Sequence, residues 1–368
     1  MKLSILASLC LSAPIWAHDV WVVDSGGGGD FVLVQDAVNA AQPGDTALLR
    51  DGSYPETVSI PGKGLQLVGE VPEVSVGRIR STGGSLLDTE YFMANIAGRV
   101  AFDPGKFHPP SRPLVLLDSC KFRAGYGLDN GVEVWDVLRS LTLVDSVSYG
   151  VYGGECSATT AYYSSGVLID EGTGCDLCVF HSSVAGGSGS DGCDCFTCES
   201  GEDGGPGITF GGDVLHTHGA EVQGGSGGCG CGPGLDGPEI VLRAGIHDPS
   251  TAPVARLRAP KLVREGDGAE FIVEGEPGAR VTLLSSPRQG SRYLGADVGA
   301  LLLGSPLGFQ PLGTIPSDGV LRYPFTVDEL PAGEEGEMTY YQAVVREQGG
   351  TRHLTNPSGM LTLDSSIH

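Results

Sequence analysis

Between Arg139 and Arg243 the chain contains neither lysine nor arginine, although it runs to 368 residues with a formal net charge of −23. The same stretch carries fourteen carboxylates, from Asp145 to Glu239. Nucleic-acid binding needs clustered cations that displace counterions from phosphate, so no nucleic-acid partner is expected. A polyuronate is disfavoured along this stretch for the same Coulombic reason. Long apolar runs are also missing. Beyond the first seventeen residues nothing approaches the ~18 apolar residues of a membrane-spanning helix, so no transmembrane segment is expected.

What the chain does have is glycine, 59 residues of it, without the strict triplet period of collagen, which implies many tight turns. The start, Met1-Lys2 followed by an apolar run to Ile15 and then Trp16-Ala17, has the layout of a signal peptide over residues 1–17. The mature protein is therefore expected to be secreted, into the medium, the periplasm or onto the cell surface, under oxidising conditions.

The segments LVLLDSCKF (114–122) and LTLVDSVSY (141–149) align without gaps, 27 residues apart. LCVFHSSVA (177–185) follows 36 residues after the second, and LHTHGAEVQ (215–223) a further 38 on. Both of these last copies run into GGSG, at 186–189 and 224–227. A second strand-like piece precedes three of the copies: GVEVWDV (131–137), GVLIDEG (166–172) and GITFGGDV (207–214). Short strands repeating with loops of variable length describe a solenoid, in which each turn buries its neighbours' apolar faces. Ahead of the repeats, Val34, Ala37, Val38 and Ala41 fall at helical spacing. Three strand-like runs follow, Thr46–Leu49, Thr57–Ile60 and Leu65–Val68. A helix laid over the first turn would hide a sticky strand edge.

Phe31 with VQDAV, then PGDT, DGSYPETV and LQLVGE, make residues 30–70 resemble the N-terminus of the pectin lyase-like superfamily, pectinesterases especially. The resemblance implies an all-β chain: a right-handed parallel β-helix over residues 19–246 with an N-terminal capping helix. It does not extend to catalysis. Only the Gly-x-Tyr-x-Glu element is present, as Gly52, Tyr54 and Glu56; the runs that carry the family's acid, nucleophile and substrate-gripping arginine are missing. Residues 247–260 read as a linker from their Pro, Ser and Ala content. The period-2 runs of 261–366 predict a small β-sandwich that resembles the Ig-like modules of secreted bacterial proteins.

Cys175–Cys178 and Cys195–Cys198 together have a spacing that usually announces zinc. The repeat argues otherwise, since it puts the first pair at the start of a strand and the second in a glycine-rich loop. The cysteines of that loop and its neighbours, Cys156, Cys193, Cys195, Cys198, Cys229 and Cys231, are the disulfide candidates. The 38-residue register stacks Cys193 on Cys231, while a rival register of 20 would stack Cys175 on Cys195 and Cys178 on Cys198. GGSGSD (186–191) matches the first six positions of a calcium-binding nonapeptide, which makes Asp191, Asp194, Glu199, Glu202 and Asp203 candidate ligands and calcium the candidate cofactor. GGSGG (224–228) fits a nucleophile elbow but lacks the strand and helix that motif needs. His216 and His218 share one strand face, with ordinary strand histidines the preferred reading. The Asp-Ser pairs 118–119 and 145–146 are expected to stack as a polar ladder.

These readings point to a secreted, acidic protein without catalytic residues, partnered with an extracellular glycan or a cell-surface component, or else to a carbohydrate-active enzyme on a neutral glycan. The oxidising setting makes thiol counting on protein prepared without reductant the first test. Few free thiols are expected, and stoichiometric zinc lost together with the fold under chelation would reverse the disulfide reading.

Overall fold

The structure, a computed structural model, describes residues 18–82, 90–103, 113–124, 130–134, 138–150, 164–171, 174–189, 200–229, 231–250 and 252–367. Residues 1–17, read as a signal peptide, lie outside them. The described chain is almost entirely β. Nine strands form one parallel sheet, in chain order: Val20–Val23, Thr46–Leu49, Gln66–Gly69, Glu90–Ala94, Leu114–Asp118, Ser140–Val144, Asp176–Phe180, Val214–His218 and Ile246–Pro249.

A second column of parallel strands stacks Ile96–Gly98, Lys121–Arg123, Val147–Tyr149, Ser183–Ala185 and Glu221–Gln223. A third stacks Val100–Asp103, Val132–Val134, Val167–Ile169, Ile208–Phe210 and Ile240–Leu242. The long strand Val74–Thr82 joins the two columns at their start. From Leu114 onward the chain visits the first sheet, the second column and the third column in that order, and then repeats.

Alternation along each strand explains the stacking. Val115 and Leu117, Leu141 and Leu143, Leu177 and Val179, and Leu215 point into one interior with Phe122, Val132, Ile169 and Phe210. This interior fixes the register. Leu114 pairs with Ser140, not with Leu141 as the sequence alignment had it, so the offset is one residue shorter than expected. A slip of one would have turned Thr142 inward and Leu141 out. The 36- and 38-residue offsets hold, with Thr142 on Cys178 and Leu177 on Leu215. The expected Asp-Ser ladder is corrected accordingly. Ser119 stands over Asp145, and the ladder runs through Cys120, Ser146 and Ser182: each backbone N–H of the first two donates to the next hydroxyl at 3.1 Å.

The corner from first sheet to second column repeats one backbone device. Asn95, Ser119, Asp145, His181 and Gly219 all take positive φ, between 47° and 61°. Asn, Asp and His tolerate this left-handed conformation better than most residues.

The helix Val34–Ala40 buries Val34, Ala37 and Val38. Glu56 accepts the N–H groups of Val34 and Gln35 at 2.8 and 3.0 Å, and the Tyr54 hydroxyl donates to the carbonyls of Val23 and Arg50. The Gly-x-Tyr-x-Glu element is thus a brace for the first turn of the chain: its glutamate satisfies helix N–H groups that have no partner within the helix.

The stretch read as a linker supplies strand Ile246–Pro249 to the parallel sheet and strand Arg256–Arg258 to a three-stranded sheet with Gly268–Glu274 and Val320–Thr326. A six-stranded sheet contains Leu262–Arg264, Ser358–Leu363, Gly336–Arg346, Arg280–Ser286, Gly308–Thr314 and Arg352–Leu354. The two sheets share an apolar cluster that includes Leu257, Phe271, Val273, Val281, Leu283 and Val345.

This C-terminal segment covers the outer face of the nine-stranded sheet. Val22, Leu48, Phe92, Leu116, Val144 and Phe180 pack with Leu302, Met338, Tyr340, Leu354 and Leu361. Polar groups fix the position. Lys261 Nζ lies 2.5 Å from Asp118 Oδ2, with the aspartate side chain fully buried, and Ser358 Oγ donates to the same oxygen. Arg256 Nη2 lies 2.6 Å from Asp145 Oδ1. Gln289 donates to Glu90 and to the Tyr91 carbonyl.

Lys261→Ala would leave the Asp118 charge in the dry seam without its cation, and is expected to destabilise the protein by about 3–5 kcal/mol in urea unfolding. Replacing both partners (Asp118→Leu with Lys261→Met) should recover more than half of that loss. A single-variant loss under about 1 kcal/mol would show the pair to be a solvated surface bridge instead.

Candidate functional site

From Leu114 onward the longest connection of each turn runs from the second column to the third, whereas two residues separate the first sheet from the second column, as between Asp118 and Lys121. The described parts of these long connections build one wall of a cleft of about 750 Å³. Its floor is the outward face of the third column, where Glu133, Leu168, Thr209 and Val241 occupy one cross-strand row. The wall presents Asp203, Gly204, Pro206, Leu235, Asp236 and Pro238, and Arg243 closes one end.

The floor is a connected polar network. Asn130 donates from its backbone N–H and from Nδ2 to Glu133 Oε1, at 2.6 and 3.1 Å, while its Oδ1 accepts the Ser165 N–H at 2.6 Å. Ser165 and Thr209 share a hydroxyl–hydroxyl bond of 2.7 Å. Across the cleft, Asp203 Oδ1 accepts the Leu235 N–H at 2.7 Å and Asp236 Oδ1 accepts the Gly227 N–H at 3.0 Å. Arg243 sits 3.8 Å from Asp170, a loose pair with both side chains well exposed. Leu235, 72% exposed, stands at the rim.

The wall is neither strand nor helix. Gly201, Gly204 and Gly207 face the run from Gln223 to Gly228, Gly186 and Gly189 face Glu202 to Pro206, and Gly224 and Gly227 face Gly234 to Gly237. In each case every third residue must be glycine, because a β-carbon there would overlap a backbone carbonyl of the neighbouring segment. A contact period of three is that of the polyproline II helix, and it packs here as in collagen, with glycine at the close approach. Backbone bonds of 2.7–2.8 Å cross the stack in sequence, from Gly237 to Gly225, Gly225 to Gly205, Gly205 to Gly187 and Gly187 to Ser164.

The residues predicted from sequence distribute as follows. Asp191, Asp194, Glu199, Cys156, Cys193, Cys195 and Cys198 lie outside the described residues. Glu202 and Asp203 belong to the glycine wall, where the Glu202 carbonyl accepts the Gly228 N–H and Asp203 faces the cleft. Among the described residues no group of three or more His, Cys, Asp or Glu side chains could hold a metal ion. Cys231 is disulfide-bonded, to a partner outside the described residues, and Cys229 is exposed two positions before it. The GGSG copies do stack at the 38-residue register, with Ser226 Oγ donating to Ser188 Oγ at 3.1 Å.

Cys175 and Cys178 are buried thiols on opposite sides of the sheet, Cys175 in the interior and Cys178 under the C-terminal segment. Burial pushes both thiols well up from their ordinary value. Side chains that face apart cannot form half of a zinc knuckle. Ser226 lies in the glycine wall with no helix after it, so it is not a nucleophile elbow. His216 and His218 are also covered by the C-terminal segment and do not reach the cleft.

Sequence reasoning missed Asn130, Ser165, Thr209 and Arg243. The available signal was the alignment of GVEVWDV, GVLIDEG and GITFGGDV, whose third residues after the shared glycine-led start form the outward row Glu133, Leu168 and Thr209. A scan against models of known protein families matches none of them, and a search of curated proteins finds no similar sequence.

The glycine wall makes a sharp prediction. Gly204→Ala is expected to cost about 3 kcal/mol in urea unfolding, or to abolish hydrogen-exchange protection over 201–207, because backbone cannot yield as a side chain can. Gly268→Ala, at a position with open space around it, should change stability by less than about 0.5 kcal/mol. Equal effects at the two positions would refute the close-packed wall.

Proposed function

We propose that the chain is a secreted right-handed parallel β-helix protein of pectin lyase-like architecture. In this reading the helix Val34–Ala40 caps the first turn and an Ig-like β-sandwich is docked along one face. Its role is that of a non-catalytic binding or cell-surface structural protein, with an extracellular, largely neutral glycan held in the cleft on the third column.

The observation that carries this reading is the make-up of the cleft: apolar floor and rim groups, Leu168, Val241, Pro206 and Leu235, alternate with hydrogen-bonding groups on Asn130, Ser165, Thr209, Asp203 and Asp236. A sugar ring presents the same mixture, C–H faces beside hydroxyl edges, and a few placed polar groups on an apolar lining are how such sites gain orientation. Among the described residues of the lining, Arg243 is the one cation, against Asp203 and Asp236. A polyuronate would therefore meet more like charge than opposite charge. The two aspartates in one wall support a second reading, a glycosidase on a neutral glycan, since paired carboxylates can perform acid–base chemistry without a cation.

A glycan array with reducing-end product detection separates the two. Binding of a neutral oligosaccharide without product is expected. Thr209→Trp, which fills the floor, should weaken binding at least about tenfold while circular dichroism stays unchanged. Pectin and polygalacturonate are expected to be neither de-esterified nor cleaved, with or without calcium. Unsaturated uronide formed in the presence of calcium would defeat the reading, and product from a neutral glycan that disappears in Asp203→Asn or Asp236→Asn would move the enzyme to first place.

A further inference from the structure

The seam between the nine-stranded sheet and the C-terminal segment carries apolar groups along most of its length, but histidines at one end. His216 and His218 project from strand Val214–His218, His181 from the preceding corner, and His353 from the covering strand Arg352–Leu354. Three of them, His216, His218 and His353, are no more than 3% exposed. The His216 ring packs on Phe180 and Tyr293, at 5.8 and 5.4 Å between centroids, and the His218 ring on Phe180 and His181, at 6.1 and 5.6 Å.

The imidazole nitrogens are under-satisfied. His216 Nδ1–H donates to the Asp248 carbonyl at 3.1 Å, which leaves Nε2 as a bare lone pair. His216 Nε2, His218 Nε2 and both ring nitrogens of His353 are buried without a hydrogen-bond partner among the described residues. A neutral imidazole tolerates this; an imidazolium, with a charge and a second N–H to satisfy, does not.

We propose that this end of the seam is an acid-operated latch: protonation of His216, His218 and His353 parts the C-terminal sheets locally from the nine-stranded sheet while the parallel columns stay folded. Other groups facing the histidines have been weighed in this. From the covering segment, Arg256 adds positive and Glu274 negative charge beside His181, and Glu347, 3.6 Å from His353 Nδ1, faces His353 together with Glu276. From the last parallel strand come His247, which opposes charge on His216, and Asp248, whose side chain is taken by the Tyr293 hydroxyl. Asp145 is paired with Arg256, and Asp176 faces Asp213 and Ser291.

The direction follows from linkage. Burial and the neighbouring imidazoles push His218 down to about 4 from an ordinary 6.5, and burial lowers His181, His216 and His353. In the parted state the rings regain their ordinary value, so closure is complete above about pH 6.5 and is lost as pH falls toward 4. Asp145 and Asp176, both raised by burial, titrate the other way and hold the seam closed in acid. The histidines outnumber them and, unlike Asp145, have no ion-pair partner closer than the 3.6 Å of His353 to Glu347. His218 alone shifts the opening equilibrium by roughly 60-fold between about pH 7 and pH 4.5.

Three buried thiols report on this without added probes. Cys178 lies in the seam, register neighbour to His216, whereas Cys120 and Cys175 lie in the interior of the parallel columns. The full chain is treated with 4,4′-dithiodipyridine, which reacts with thiols in acid, and labelling is read peptide by peptide by mass spectrometry. Between about pH 7 and pH 4.5, the labelling rate of Cys178 relative to a free thiol at the same pH should rise by roughly 50-fold, with Cys120 and Cys175 still protected. The variant His216→Gln with His218→Gln should keep Cys178 protected at the acid pH. Histidine titration by NMR on the unaltered chain stands independently of whether that variant folds, and should place the seam imidazoles well below 6.5 at closure. Protection of Cys178 at both pH values would overturn the latch. So would simultaneous labelling of all three thiols, unchanged acid labelling in the variant, or imidazoles that titrate near 6.5 while Cys178 stays protected.

Discussion

Both faces of the nine-stranded sheet exclude water along all but its last strand, and the rest of the molecule is arranged around that condition. Inward, Val115, Leu117, Leu141, Leu143, Leu177 and Val179 join the interior; outward, Leu116, Val144, Cys178 and Phe180 are just as buried. Parallel strands read as continuous apolar runs when both faces are covered, and LVLL and LTLV are such runs. The C-terminal segment is therefore a structural half of the sheet's environment, not an appendage. It also supplies what the central stretch lacks, since Lys261 and Arg256 reach Asp118 and Asp145 across the seam. Removing such charges from water is costly, so the pairs are better understood as fixing where the segment sits than as adding to its affinity.

Much of the fold was legible because it rests on apolar periodicity. The helix at Val34, the first strands, the returning strands at 36- and 38-residue offsets and the change of texture after Ile246 all follow from it. The offset of 27 failed for an instructive reason. Aligning Leu114 with Leu141 maximises identity, but the strands stack by side-chain direction, and only an offset of 26 puts Val115 and Leu117 on the same side as Leu141 and Leu143. Identity is indifferent to direction; packing is not. The linker reading failed differently. Strand Ile246–Pro249 closes the sheet through backbone groups, which Pro- and Ser-rich composition conceals.

The glycine wall was the least legible element. Glycine abundance reads as looseness, and the segments lack the apolar alternation that marks a strand. The order resides in a spacing of three, Gly201, Gly204 and Gly207, interrupted by Glu202, Asp203 and Pro206, and it is visible only once the facing segments are known. The same residues were legible as acidic but not as cleft residues: Asp203 lines the cleft together with Asn130, Ser165 and Thr209 of the third-column side.

Connection length separates the two surfaces of the parallel region. The corner from first sheet to second column is held to one or two residues with one left-handed position, at Asn95, Ser119, Asp145, His181 and Gly219, so nothing protrudes there and a flat partner can lie along the sheet. The connection from second to third column has no such restraint, and its lengths set the irregular offsets of the repeat. Loops of free length on a rigid scaffold are where recognition surfaces can vary without disturbing the core. The cleft is built from them, the seam from the constrained corners, and the interior between them is continuous. A change at the glycine wall therefore need not be felt at the histidine end of the seam, because the interior packed between the third column and the nine-stranded sheet is left in place at both positions.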